Sequence, residues 1–89
     1  MKDANNRRAI RLGDPTDHGG EVKTALTSIL VRGLPVAAEG CLVTCPRCGG
    51  DFRILPSASP SPRRHLGQTI AFEDDLTECG ARLLSTLPG

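Results

Sequence analysis

The sequence has few of the large side chains from which hydrophobic cores are usually built. Its 89 residues include no tryptophan, no tyrosine and only two phenylalanines, Phe52 and Phe72. A domain of this length with so thin a core generally needs a disulfide, a metal ion or a partner for stability. Ten glycines and seven prolines argue against long helices and favour an all-β fold built from hairpins and turns.

The chain also lacks strong charge, a long apolar run and a secretory signal. Its formal net charge is +1, and no aromatic residues lie between the basic ones, so we expect no nucleic-acid partner. The longest apolar stretch, residues 25–31, is too short to cross a bilayer. Because residues 1–8 are polar and lack an apolar segment, we expect a protein that is made in the cytoplasm and stays there unless a machine that needs no signal peptide exports it. In that compartment the four cysteines indicate metal ligands or reactive thiols rather than disulfides.

Three short stretches of the sequence align with one another, and each ends in a residue that can bind a metal. They are GDPTDH at residues 13–18, GCLVTC at residues 40–45 and DDLTEC at residues 74–79. The second and third stretches lie 34 residues apart, and their match extends upstream to Gly33 and Gly67. This pattern predicts one structural unit used three times around an approximate threefold axis.

The repeat predicts a single metal site. It would bring His18, Cys45 and Cys79 to equivalent points around the axis, and Cys48 of the CPRC turn can supply a fourth ligand. Two cysteines at this spacing bind one ion because the turn between them points both sulfurs the same way. Four nitrogen and sulfur ligands around one point form a tetrahedral zinc site. We therefore predict one structural Zn²⁺ ion held by these four residues.

Each predicted ligand also has a simpler explanation. The CPRC turn could be a redox dithiol, but such a pair begins a helix, and Gly49-Gly50 is a poor helix start. Taken alone, His18 could be only a turn residue, and Cys79 could be a small buried apolar residue. The alignment of both residues with Cys45 favours metal binding in each case.

Four further residues, Cys41, His65, Asp14 and Asp17, bear on the assignment of the site. Cys41 aligns with Asp14 and Asp75 rather than with the ligands, so we predict a substituted turn residue there. His65, beside two arginines, stays open as an alternative ligand. A ligating His18 usually donates its other ring N–H to a carboxylate or a carbonyl, and Asp14 or Asp17 could accept it.

The organisation of the chain follows from its turn residues. We predict a flexible N-terminal tail over residues 1–8 and a single domain over residues 9–87. Residues 26–39 are typical of a hairpin that turns at Gly33, and residues 66–72 have strand character. The Pro/Ser-rich loop at residues 56–64 is predicted to be the least ordered stretch after the tail.

These motifs, in this order, resemble the PAAR (Pro-Ala-Ala-Arg repeat) family, whose members form the tip of the bacterial type VI secretion spike. The family's patterns match RLGDPTDHGG at residues 11–20, GLPVAAEGCLVTCPRCGGDFRIL at residues 33–55 and AFEDDLTECGARLLST at residues 71–86. The resemblance covers nearly the whole chain. The sequence departs from the family in PVAAEG, which replaces the namesake wording, and in Cys41, where the family usually has Asp or His.

The resemblance implies a small conical fold of β-hairpins with a zinc ion near its point, bound by His18, Cys45, Cys48 and Cys79. It further implies a non-enzymatic protein whose base docks on a trimeric valine-glycine repeat spike protein and aids membrane piercing. Effectors carried non-covalently are possible partners. We expect a monomer that caps one trimer through the Arg32-Gly33-Leu34 turn and reaches the extracellular space or a target cell.

Two other functions fit parts of the sequence. A zinc-ribbon-like adaptor for protein or nucleic acid would predict two cysteine knuckles and a basic surface, whereas one knuckle is present. A small thiol oxidoreductase would predict thiols that react while the metal is absent or labile.

Overall fold

The computed structural model describes residues 7–57 and 63–87 as three two-stranded antiparallel sheets joined by turns. The pairs are β1 (Leu30–Val31) with β2 (Leu34–Pro35), β3 (Leu42–Cys45) with β4 (Gly50–Arg53), and β5 (Arg64–His65) with β6 (Gln68–Thr69). Within these two ranges no helix occurs, and therefore none long and apolar enough to cross a membrane. The predicted all-β class is confirmed.

Three backbone hydrogen bonds form a closed ring at the centre of the fold. The N–H of Ile10 donates to Ala71, that of Ala71 to Ala37, and that of Ala37 to Ile10, with N···O distances of 3.0, 3.0 and 2.8 Å. All three residues are buried. Because each makes the same contact with the next, they are related by an approximate threefold axis, and the predicted pseudo-threefold repeat is confirmed.

A second set of threefold-related contacts holds the three ligand-bearing stretches. A residue of each stretch forms a β-bridge with the segment that follows a different stretch. The bridges are Thr16–Leu83, Val43–Val22 and Thr77–Ile54. All six of these side chains are at most 4% exposed. The three repeats therefore interlock, and none of them buries its apolar side chains alone.

The core is small and mainly aliphatic, as the composition predicts. Phe72 is fully buried, whereas Phe52 is only partly buried on β4. The remaining buried core residues are short, with four alanines among them at positions 9, 37, 38 and 71. Such a core buries little apolar area per residue, so the fold gains less from the hydrophobic effect than an aromatic-rich domain would.

Two of the hairpins turn through pairs of residues with positive φ. Arg32 and Gly33 have φ of 50° and 85°, and Leu66 and Gly67 have φ of 52° and 82°. Two-residue loops with positive φ at both positions are typical of tight β-hairpins because their twist matches that of the strands. The hairpin turning at Gly33 was predicted. The second hairpin replaces the continuous strand character predicted for residues 66–72, since Leu66-Gly67 reverses the chain between β5 and β6.

The start of the described chain is held by ion pairs to the third repeat. Arg7 Nη1 lies 3.0 Å from Asp75 Oδ1, and Arg8 Nη2 lies 3.0 Å from Glu73 Oε2. Hydrogen bonds from Arg8 lower the pKa of Glu73. Residues 1–6 of the predicted tail and residues 58–62 of the predicted loop lie outside the described residues. The boundaries of the tail and of the single domain over 9–87 stay predictions.

Candidate metal centre

The three ligand-bearing stretches are held by equivalent backbone hydrogen bonds next to their last residues. The residue before each predicted ligand donates its N–H to the carbonyl of a return strand. These hydrogen bonds run from Asp17 to Arg82 (3.0 Å), from Thr44 to Glu21 (2.9 Å) and from Glu78 to Arg53 (3.0 Å). The repeated frame brings His18, Cys45 and Cys79 toward one point.

Threonine hydroxyls shape two of the three ligand turns. Thr16 Oγ1 accepts hydrogen bonds from the N–H groups of His18 (3.2 Å) and Gly20 (3.1 Å). Thr77 Oγ1 accepts from the Ala81 N–H at 3.2 Å and lies 3.3 Å from Cys79 Sγ. Neither threonine was predicted from the sequence, although each lies two positions before a predicted ligand.

The fourth predicted ligand comes from the turn between β3 and β4. Cys45 ends β3, and the Gly49 N–H donates to the Cys45 carbonyl at 2.8 Å. Gly49 has a φ of 76°, a left-handed conformation in which glycine is favoured. This turn leads into a strand rather than a helix, so the helix expected of a redox dithiol is absent at Cys48.

The structure brings all four predicted ligands into one cluster. Their ligand atoms lie within 4.8 Å of one another. His18 Nδ1 is 3.7 Å from Cys45 Sγ and 3.9 Å from Cys79 Sγ. Around a tetrahedral zinc ion, neighbouring nitrogen and sulfur ligands are separated by about 3.6 to 3.8 Å, given the usual bond lengths. The cluster could therefore hold a metal ion, and its distances and donor atoms suit a tetrahedral one.

The three thiols of the cluster cannot all ionise easily without a cation. Burial opposes ionisation of Cys79, but hydrogen bonds from Thr77, Cys45, the Ala81 N–H and His18 outweigh it and lower the pKa of Cys79 to about 6. A hydrogen bond between the Cys48 and Cys45 thiols and, after it, loss of hydration raise the pKa of Cys48 to about 11. A divalent cation would remove this conflict by neutralising the added negative charge.

Cys41 occupies the turn position that the repeat predicts. Its N–H donates to the carbonyl three residues earlier at 3.1 Å, as do the N–H groups of Asp14 (3.0 Å) and Asp75 (3.1 Å). The two carboxylates also accept backbone hydrogen bonds, from Arg11 at 2.8 Å and from Phe72 at 2.9 Å. Cys41 is buried and is not part of the metal-ligand cluster.

His65 lies outside the cluster, and a carboxylate lies near the outer ring nitrogen of His18. His65 lies on β5, with Nε2 2.9 Å from Ser28 Oγ, and is not part of the cluster. His18 Nε2 is the ring nitrogen that faces away from the sulfurs, and it lies 3.8 Å from Asp17 Oδ1. This separation exceeds a hydrogen bond. Of the two carboxylates considered, Asp17 is the one near this nitrogen, whereas Asp14 accepts a hydrogen bond from the Arg11 N–H.

Replacement of Cys41 by serine should leave the metal content unchanged. We expect Cys41→Ser to change the free energy of unfolding by no more than about 1 kcal/mol, because a hydroxyl is close to a thiol in size and the equivalent positions 14 and 75 already hold polar side chains that accept a backbone hydrogen bond. Cys48→Ser is the matched control and should weaken metal binding strongly. Zinc-to-protein ratios and thermal unfolding of both variants test this. Loss of the ion from Cys41→Ser but not from Cys48→Ser would reverse the assignment.

Comparison with known proteins identifies the family. A comparison with curated proteins finds no match. A family model, the PAAR motif, matches residues 12–85. This range is well over half of the chain and contains the three ligand-bearing stretches and all four residues of the cluster. The chain therefore belongs to the PAAR motif family, the spike-tip proteins of type VI secretion systems.

Proposed function

We propose that this chain is a metal-stapled tip that caps the trimeric spike of a type VI secretion system and sharpens it for membrane piercing. As a PAAR protein it is associated with the spike and is a secreted component. The observation that carries the proposal is the closed ring of hydrogen bonds through Ile10, Ala37 and Ala71. One chain with approximate threefold symmetry can match a true trimer at all three of its subunits.

The metal supplies stability that the core lacks. We propose that His18, Cys45, Cys48 and Cys79 bind one structural Zn²⁺ ion and so join the ends of all three repeats. Structural zinc sites contribute roughly 10–16 kcal/mol of apparent binding free energy to folding. Four protein ligands complete a tetrahedral shell and leave no open position for a substrate. We therefore propose a structural role and no enzymatic activity.

The proposed partner is a trimeric valine-glycine repeat spike protein. The chain would be a monomer alone, would bind one copy per trimer, and would leave the cell at the spike tip without a signal peptide. Effectors carried non-covalently are part of this proposal. The β1–β2 hairpin supports docking through the turn expected from the sequence, because Leu30 and Leu34 on its two strands are 61% and 39% exposed. Exposed strands of this kind pair readily with another chain.

Introduction of a charge at Leu34 should weaken docking without releasing the metal. Leu34→Glu is expected to raise the Kd for the spike trimer at least about tenfold, since a truncated or charged apolar anchor typically costs more than 1.4 kcal/mol. Leu84→Glu is a matched control, because Leu84 is also 39% exposed but follows the third ligand-bearing turn. Native mass spectrometry of the complex should give one chain per trimer. Three chains per trimer would contradict the proposal.

The zinc-ribbon-like adaptor remains the alternative, and the site geometry gives it less support. One cysteine knuckle contributes to the cluster, and the other two ligands come from separate turns in the first and third repeats. A stable complex with nucleic acid, together with no binding to any spike trimer, would favour the adaptor.

A further inference from the structure

The two hairpins β1–β2 and β5–β6 carry three exposed leucines, which include the two most exposed large apolar side chains of the described residues. Leu30, Leu34 and Leu66 are 61%, 39% and 85% exposed. The hairpins are linked by the 2.9 Å contact between Ser28 Oγ and His65 Nε2. We call residues 28–36 and 63–70 together the hairpin surface. Exposed apolar residues grouped on linked hairpins mark interaction sites more often than residues scattered singly do.

Leu66 is an unusual residue for its position in the turn between β5 and β6. It has a φ of 52°, in the left-handed region where glycine, asparagine and aspartate are favoured. Its side chain is 85% exposed, so the isolated chain gains almost nothing from burying it. A residue that opposes the local conformation and adds little to packing is expected to serve function. Leu66 therefore has the properties of an anchor that becomes buried in a complex.

The hairpin surface also carries a net positive charge. Residues 28–36 and 63–70 contain Arg32, Arg63 and Arg64 and no Asp or Glu, whereas the rest of the sequence has eight Lys or Arg and ten Asp or Glu. All three arginines are exposed. Within the described residues none of the three forms an ion pair with a carboxylate. Their charges are therefore available to a partner.

We propose that the hairpin surface selects the spike by its chemistry: its leucines bury against an apolar patch on the end of the trimer, and its arginines require carboxylates around that patch. This rests on the proposed function and adds the β5–β6 hairpin to the docking surface. An apolar centre with a charged rim is the usual anatomy of a protein interface. Rim charges accelerate association with complementary partners and exclude others. Nucleic acid fits less well, because the surface has no Phe, Tyr or Trp side chain on which bases could stack.

Charge reversal tests the arginines. The Arg63→Glu/Arg64→Glu variant should associate with purified valine-glycine repeat spike trimers of the same bacterium about tenfold more slowly at low salt. Arg53→Glu/Arg82→Glu is the matched control, with the same change in net charge at two exposed positions of the ligand-bearing repeats. The equivalent position of the first repeat already holds Glu21, whose carbonyl accepts the same repeated hydrogen bond. The control should change the association rate less than about threefold, and the wild-type rate should fall as salt is added.

Replacement of Leu66 by asparagine separates docking from folding. Leu66→Asn should keep or raise the Tm of the free chain, because asparagine accepts a positive φ, yet should speed dissociation of the complex about tenfold. A merely structural role would lower the Tm instead.

Failure of this inference and failure of the proposed function give different results. If wild-type chain binds no spike trimer, the proposed function fails. If the wild-type chain binds and the Arg63→Glu/Arg64→Glu and Leu66→Asn variants match its affinity and its rates, the docking function stands and the inference is overturned. Binding of the wild-type chain to anionic phosphatidylglycerol vesicles or to RNA through Arg63 and Arg64, with the trimer unaffected by these changes, also overturns it.

Discussion

Chelation of the metal is expected to unfold the protein. A small domain has a total stability of about 5–15 kcal/mol, and a structural zinc ion supplies an amount of the same order. The cluster of His18, Cys45, Cys48 and Cys79 draws ligands from all three repeats. Its loss would therefore release the ends of every repeat rather than one loop. The core consists mainly of small aliphatic side chains with one buried aromatic residue, Phe72. Without the metal, hydrophobic burial alone would therefore stabilise the interlocked strands only weakly.

Circular dichroism and amide NMR spectra recorded with a strong chelator should show loss of the folded state, and added zinc should restore it. Cys45→Ser and Cys79→Ser should each have the same effect without chelator, since each removes a proposed ligand from a different repeat. Cys41→Ser provides the control for loss of a thiol in itself. A chain that keeps its NMR dispersion after complete removal of metal would contradict a structural role for the ion.

Replacement of Gly20 by alanine should be the most damaging single change outside the four cysteine and histidine positions. A Cβ atom at Gly20 would lie 1.7 Å from the carbonyl oxygen of Thr44. That oxygen belongs to the backbone of β3 and cannot move away as a flexible side chain would. Thr44 is the residue before Cys45, and Gly20 follows two residues after His18, so a forced shift would separate two proposed ligands. We expect a loss of at least about 3 kcal/mol, at the upper end for overpacked sites.

The third repeat contains a matched control for this change. Ala81 is the equivalent of Gly20, since the N–H groups of Thr16 and Thr77 donate to their respective carbonyls, both at 2.9 Å. Alanine is thus accepted in one repeat and excluded from another. Ala81→Gly should cost only about 1 kcal/mol, mainly through backbone entropy. Urea unfolding of the zinc-loaded variants measures both effects, and equal stabilities for Gly20→Ala and Ala81→Gly would refute the predicted clash.

The repeat made much of this fold predictable from the sequence. The offset of 34 residues that relates Gly33 to Gly67 also relates Ala37 to Ala71, two of the three residues in the central ring. The alignment of the three stretches brought His18, Cys45 and Cys79 to one point and separated Cys41 from them. These features are predictable because equivalent residues in a symmetric fold must make equivalent contacts, so a pattern along the chain fixes a relation in space.

Other features of the fold could not be predicted from the local sequence. The second hairpin depends on Leu66-Gly67, and leucine is not a residue that tight turns normally favour. The match of Gly67 with Gly33 was the signal that could have revealed it. The ion pairs of Arg7 with Asp75 and of Arg8 with Glu73 join residues more than 60 positions apart. Such contacts follow from the completed fold, so neither spacing nor composition could predict them.

X-ray absorption at the zinc edge of the purified chain tests the central claim most directly. Binding by His18, Cys45, Cys48 and Cys79 predicts one nitrogen at about 2.0–2.1 Å and three sulfurs at about 2.3 Å. A His18→Cys variant should retain the ion and give four sulfurs, which provides an internal check on the nitrogen. Four sulfurs in the wild-type chain, a second nitrogen, or a shell of oxygen atoms would contradict the account.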